Sequence, residues 1–129
     1  MLEHLKPGDC SGVVIDAAMK VHSALEPGLL EGAYEACLAY EIRRRGLSVV
    51  TQAPLAIVYD GLRVDGAYRV DLLVDNEVIV EIKALSKILP VHHAQLLSYL
   101  RLSGHKVGLL INFHVPRLRD GLKRMVNNA

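Results

Sequence analysis

Asp71, Glu81 and Lys83 lie within Arg69-Val70-Asp71-Leu72-Leu73-Val74 and Val78-Ile79-Val80-Glu81-Ile82-Lys83, two runs apolar enough to be buried strands. Charged groups are normally buried only when they are paired, hydrated or bound to metal. Side chains alternate across a strand, so Glu81 and Lys83 share one face. If Asp71 faces Glu81 from the next strand, the two carboxylates start about 5 Å apart at their β-carbons. Like charges that close repel, and one takes up a proton unless a cation intervenes. Mg²⁺, or Mn²⁺ in its place, suits such a pair, because it takes oxygen ligands and uses one or two carboxylates plus a substrate phosphate. The backbone carbonyl of Ile82 adds a further oxygen. Lys83 then stands where a cation stabilises a developing hydroxide or the charge on phosphorus. The chemistry is metal-assisted hydrolysis of a phosphodiester. The competing reading is a ladder of ion pairs on an exposed sheet face, in which Lys83 does no more than neutralise an acid.

That chemistry makes a structural demand. A two-residue turn at Asp75-Asn76 would pair Asp71 with Val80 and turn Glu81 to the wrong face. A three-residue loop, Asp75-Asn76-Glu77, pairs Val74 with Val78 and Asp71 with Glu81. The turn must therefore contain an odd number of residues, or the hairpin must carry a bulge.

The surrounding elements are read from periodicity and punctuation. Asp9 or Ser11 caps a first helix with Val14, Ala17, Val21 and Leu25 on its apolar stripe. Pro27-Gly28 ends it. A second helix is predicted over residues 30–45, with Gly46 as its left-handed stop and Arg43, Arg44 and Arg45 at the negative end of its dipole. Glu31 and Glu35, one turn apart, head a stripe with Leu38 and Ile42 and bring further acids within reach of the sheet. Strands are expected over residues 47–51, 55–59, 62–64 leading on into 68–74, and 78–83. Asp60-Gly61 reads as a tight hairpin turn and Asp65-Gly66 as a bulge or kink. A helix over residues 91–102, an apolar strand over 106–112 and a basic helix over 117–126 complete the chain. The order, ααββββαβα, gives a mixed sheet covered by helices, because the helix after residue 90 lets the last strand return parallel to a neighbour.

The chain has 129 residues and 51% of them are hydrophobic, enough for one domain with an aliphatic core. Residues 1–129 read as that domain, with residues 1–9 a loose N-terminal segment. The formal net charge of +1 excludes attachment to nucleic acid by bulk charge, but not through a local groove. Cys10 and Cys37 have no partner at metal-ligand spacing and read as buried free thiols of a reducing compartment. No segment reaches the length of a membrane span, which points to a cytoplasmic protein without membrane contact.

Beyond the strand pair, Gly28-Leu29-Leu30-Glu31-Gly32-Ala33-Tyr34 resembles the motif that names the GxxExxY protein family. The segments 69–74, 93–100 and 108–113 also resemble blocks of that family, so the likeness spans residues 10–126. Asp71 followed by Glu81-Ile82-Lys83 resembles the signature of the PD-(D/E)XK nuclease superfamily, to which that family is assigned. Val70 stands where the signature has proline, a residue that does no chemistry. The resemblance implies an α/β (α+β) fold of the restriction-endonuclease-like type, with a central four-stranded mixed sheet flanked by helices. It implies that Asp71, Glu81 and Lys83 form the catalytic core, that Glu31 is the helical acid and an additional metal ligand, and that Gln95 is a polar residue near the site. The expected function is Mg²⁺-dependent hydrolysis of nucleic acid, DNA ahead of RNA, with a homodimer or a place in a larger complex as the expected assembly. The alternative is a nuclease-fold module that binds nucleic acid or regulates without catalysis.

Other polar residues receive plainer readings. Tyr34 is expected in the core with its hydroxyl satisfied, and Glu35 as a solvated or supporting acid. His92 and His93 suit a helix start or surface, and His22, His105 and His114 have no partners at ligand spacing. Arg117, Arg119, Lys123 and Arg124 read first as a solvated basic face, with a phosphate contact by Arg117 and Arg124 across two turns of the final helix as the alternative. Exposed aromatics for stacking on single strands are expected to be nearly absent.

Overall fold

The computed structural model of the chain describes residues 9–127. Apart from Asp9, the N-terminal segment expected to be loose lies outside the described residues. Helices α1 (Ser11–Leu25), α2 (Glu31–Arg44) and α3 (Pro90–Ser103) pack on a five-stranded sheet of β1 (Val49–Tyr59), β2 (Leu62–Val74), β3 (Val78–Lys83), β4 (Val107–Asn112) and β5 (Leu122–Val126). The strands lie side by side in chain order. All neighbours are antiparallel except β3 and β4, which run parallel through the α3 crossover as the element order requires.

The sheet separates two apolar layers. Val14, Ala17 and Val21 of α1 and Leu38 and Ile42 of α2 pack on Leu72, Val74, Val78, Val80, Ile82, Leu109 and Ile111. Leu96 and Leu100 of α3 pack on Ala53, Leu55, Val70, Leu73, Ile79 and Leu110 on the other face. Each fully buried aliphatic side chain contributes about 1.5–3 kcal/mol relative to exposure. Val78, Val80 and Ile82 belong to the first layer and Ile79 to the second, so alternation along β3 turns Glu81 toward α3.

The short strand segments predicted from sequence merge into one long hairpin. Residues 47–51 and 55–59 become β1, and 62–64 and 68–74 become β2. Pro54 does not interrupt β1, because β1 is an edge strand and has no outer neighbour. Asp60 and Gly61 form the tight turn, both with positive φ, between paired Tyr59 and Leu62. Around Asp65-Gly66 the register slips, since Leu55 pairs with Tyr68 and Ile57 with Val64. That is the expected bulge, with Gly66 at φ 63°.

The final basic helix is overturned. Residues 118–121 form a single 3-10 turn, and residues 122–126 form β5 against β4. The buried β4 would otherwise carry an unsatisfied row of backbone groups, and closing that edge outweighs the helical charge pattern. The sheet therefore has five strands where the resemblance implied four. Gly121 permits the join, because a β-carbon there would collide with the carbonyl oxygen of Asn112. Arg124 belongs to β5, where it pairs with Asp9 and donates to Ser11 Oγ at 3.1 Å, so the two-turn phosphate contact with Arg117 does not exist. Cys10 is buried as expected, but Cys37 is exposed on α2.

Candidate active site

The loop between β2 and β3 is Asp75-Asn76-Glu77, with Val74 paired to Val78, Leu73 to Ile79 and Leu72 to Val80. The odd turn demanded by the chemistry is present. Asp75 and Asn76 adopt φ values of 51° and 54°, and Asp75 Oδ1 accepts from Ser48 N–H at 2.8 Å, tying the turn to the start of β1.

One residue beyond Leu72 and Val80, backbone pairing gives way to side-chain pairing. The N–H of Asp71 donates to Glu81 Oε2 at 2.8 Å, and the N–H of Ile82 donates to Asp71 Oδ2 at 2.8 Å. Each carboxylate thus binds the backbone of the other's strand, and both occupy the gap where β2 and β3 part. The same point breaks the alternation of β2: Val70 and Leu73 share the α3 layer, while Leu72 and Val74 lie in the opposite one. On β1, Gln52 adopts φ 49° opposite this break, and Ala53 and Val70 resume the pairing beyond it.

Lys83, half-buried, lies two residues past Glu81 on the same strand face. Among the described residues it forms no ion pair with Asp71 or Glu81, although its charge acts on Glu81. Glu81 is 8% exposed, and burial, then the negative charge of Asp71, pushes its carboxyl up to about 7. The Asp71 N–H and the Lys83 charge offset part of that rise, and Glu31 adds to it.

The Gly28-to-Tyr34 motif acquires a physical meaning. Tyr34 is fully buried, stacked on Phe113 with ring centroids 4.5 Å apart. Its hydroxyl donates to Glu26 O at 2.6 Å and accepts from Leu29 N–H at 3.1 Å, which pins the turn containing Gly28 (φ 121°). The turn leads straight into Glu31, the first residue of α2. Glu31 Oε2 accepts from Ala84 N–H at 3.4 Å, over the end of β3. Asn112, 2% exposed, exchanges side-chain hydrogen bonds with both backbone groups of Leu85 and fixes the exit from β3.

Gln95 is exposed on α3, one turn before Tyr99. Tyr99 stacks on Tyr68 at 4.1 Å, and its phenol is raised by burial and by the charges of Glu81 and Asp71. No hydrogen bond among the described residues joins Gln95 to Asp71 or Glu81. His92 Nδ1 accepts from Leu89 N–H at the start of α3, the expected helix-start role. His22, His105 and His114 bind Val115 O, Ser103 Oγ and Leu29 O respectively.

Sequence reasoning missed two members of this group and undervalued a third. Gln52 carries no sequence signal for its left-handed backbone, and Tyr99 reads as an ordinary helix residue. Glu35 was legible as the residue one turn after Glu31. Gln52 Nε2 donates to it at 2.9 Å, and burial together with the Asp71 charge raises its carboxyl. Exposed aromatics are also less scarce than expected, since Tyr40 and Tyr59 are both solvent-facing.

Among the described residues, no group of three or more His, Cys, Asp or Glu side chains is arranged to hold a metal ion by itself. The opposed carboxylates of Asp71 and Glu81 form an all-oxygen set. It suits a hard divalent cation that keeps waters and draws further oxygens from a phosphate substrate. No helix among the described residues is long and apolar enough to cross a membrane.

No curated protein and no solved structure matches the chain. The family model of the PD-(D/E)XK nuclease superfamily matches residues 8–125. The chain belongs to that superfamily, and its mixed five-stranded sheet flanked by three helices agrees with the restriction-endonuclease-like fold.

Proposed function

From this membership we propose that the protein hydrolyses phosphodiester bonds of nucleic acid with Mg²⁺ or Mn²⁺ as cofactor. In this reading Asp71, Glu81 and the Ile82 carbonyl hold the cation, with Glu31 alongside. The observation that carries the proposal is the reciprocal 2.8 Å bonding of Asp71 and Glu81 across the strand gap, with Lys83 two residues along the same strand and its charge acting on Glu81. A divalent cation at such a site polarises phosphate oxygen and acidifies water.

The chain's own groups then divide the work. Asp71 is held by Ile82 N–H, so its orientation is set before substrate arrives. Glu81, with a carboxyl near 7, releases its proton when positive charge is brought into the gap. Lys83 offers an ammonium to the charge developing on the phosphoryl oxygens. Tyr99, whose phenol is raised in part by the Glu81 and Asp71 charges, stands on α3 one turn from Gln95.

DNA is proposed ahead of RNA as the substrate. The test is cleavage of plasmid, duplex and single-stranded oligonucleotide panels, DNA and RNA, with Mg²⁺ or Mn²⁺. Activity lost in Glu81→Ala and Lys83→Ala supports the assignment. Activity that survives both substitutions rejects this site as its source.

A further inference from the structure

We infer that Gln52 is a positioning residue for this site, fixing Asp71 and tethering Glu35 through one side-chain amide. The inference rests on the metal-site reading above, and it adds a residue that the superfamily signature does not contain.

Gln52 lies on β1, outside the D…ExK strand pair, and two features of it are unusual. Its φ of 49° lies in the left-handed region that residues other than glycine, asparagine and aspartate rarely adopt. Its side-chain amide has two N–H donors and uses them on two acids: Glu35 Oε1 at 2.9 Å and Asp71 Oδ1 at 3.2 Å. Arg69 Nη1 donates to the Gln52 carbonyl at 3.1 Å and holds the unusual backbone from the neighbouring strand.

The consequence for Asp71 is full restraint. Oδ2 accepts from Ile82 N–H and Oδ1 from Gln52, so neither oxygen is free to swing. The consequence for Glu35 is recruitment: a helix acid is held beside Asp71 by a shared neutral donor instead of being repelled from it. Extended backbone at position 52 would direct its side chain elsewhere, so the left-handed turn is what delivers the amide to both carboxylates. Groups that orient a carboxylate ligand in this manner typically account for roughly 10- to 100-fold in metal affinity.

Gln52→Gly separates the two roles of the residue. Glycine accepts the left-handed backbone without strain but removes the amide. Two measurements are made on the full chain. The first is amide hydrogen exchange of Ile82 without metal, since that N–H is held by Asp71. Exchange roughly tenfold faster in Gln52→Gly, with thermal stability equal to or above wild type, is the expected result. Unchanged Ile82 protection overturns the positioning role, because Asp71 would then be held without Gln52. The second is Mn²⁺ binding by calorimetry, where Gln52→Gly is expected to bind roughly 10- to 100-fold more weakly. Equal affinity in the two proteins also overturns the inference. If wild type binds no Mn²⁺ at all, the metal reading fails, and the Ile82 measurement still decides whether Gln52 fixes Asp71. Gln52→Asn adds a control: it favours the same backbone but is one methylene shorter. It should behave as Gln52→Gly does if the bridge to both acids is what matters.

Discussion

Glu41 and Glu81 are each 8% exposed, yet their carboxyls are driven in opposite directions. Around Glu41 the hydrogen bond from Arg45 leads, and Lys20 and Arg44 join it to outweigh burial and hold the carboxyl below its ordinary range. Around Glu81 burial leads, and Asp71 and Glu31 add like charge. Equal solvent exposure therefore says little about role: Glu81 lies deeper and among acids, Glu41 among cations. Glu41 sits among cations that complete it, so its region is finished as a structure. Glu81 sits among acids, so its region is electrostatically incomplete and is where a cation would stabilise the fold.

The largest expected difference is in activity. Glu81→Ala or Lys83→Ala should lower cleavage by roughly 10²- to 10³-fold, the scale of losing one transition-state electrostatic group. Glu41→Gln should leave cleavage near wild type. Comparable losses at both glutamates would erase the distinction between the two regions.

Stability should move the other way. The folded-state carboxyl of Glu81 lies near 7, above its ordinary 4.5, so the folded protein binds that proton more tightly than the unfolded chain. Its contribution is complete below about pH 4.5 and is lost as pH rises toward 7. Glu81→Gln removes this penalty while keeping an oxygen for the Asp71 N–H. It should gain about 3 kcal/mol over wild type at pH 8, and nothing at pH 4.5, in urea unfolding. A gain independent of pH would mean that packing, not charge, distinguishes the variant.

A smaller effect is expected at the turn before α2. Tyr34→Phe keeps the stacking on Phe113 but frees Glu26 O and Leu29 N–H, which should cost about 1–2 kcal/mol by the same unfolding measurement. It should also reduce cleavage, because that turn delivers Glu31. Full activity in Tyr34→Phe would separate the motif's tyrosine from the site.

The smallest expected effect is at Glu41 itself. Its depressed carboxyl contributes stability that is present above its ordinary pKa and is lost as pH falls through the folded value. Glu41→Gln should lower Tm at pH 7, by less in high salt and by least in acid. A Tm difference that persists unchanged in acid would assign the effect to something other than the ion pairs.

The parts of this arrangement that follow from local alternation were legible in the sequence. The Asp75-Asn76-Glu77 loop and the pairing of Val74 with Val78 are what side-chain direction requires once Asp71 and Glu81 are taken to share a face. The buried, hydrogen-bonded Tyr34 was also readable. The parts that depend on long-range closure were not. Residues 122–126 carry a helix-like charge pattern and become a strand only because β4 needs a partner. Gln52 bridges Glu35 and Asp71 only because two strands change faces at one point, and no single segment encodes that. Cys37 shows the same limit, since its helix carries small residues on its open side and spacing does not mark which face is covered.

The most direct measurement is a crystal structure of the protein soaked with Mn²⁺, read by anomalous scattering, with Asp71→Asn as the comparison. An anomalous peak in the gap between Asp71 and Glu81, absent from Asp71→Asn, is the expected result. An empty gap in wild type, or a peak that persists unchanged in Asp71→Asn, would contradict the assignment of these two acids as cation ligands.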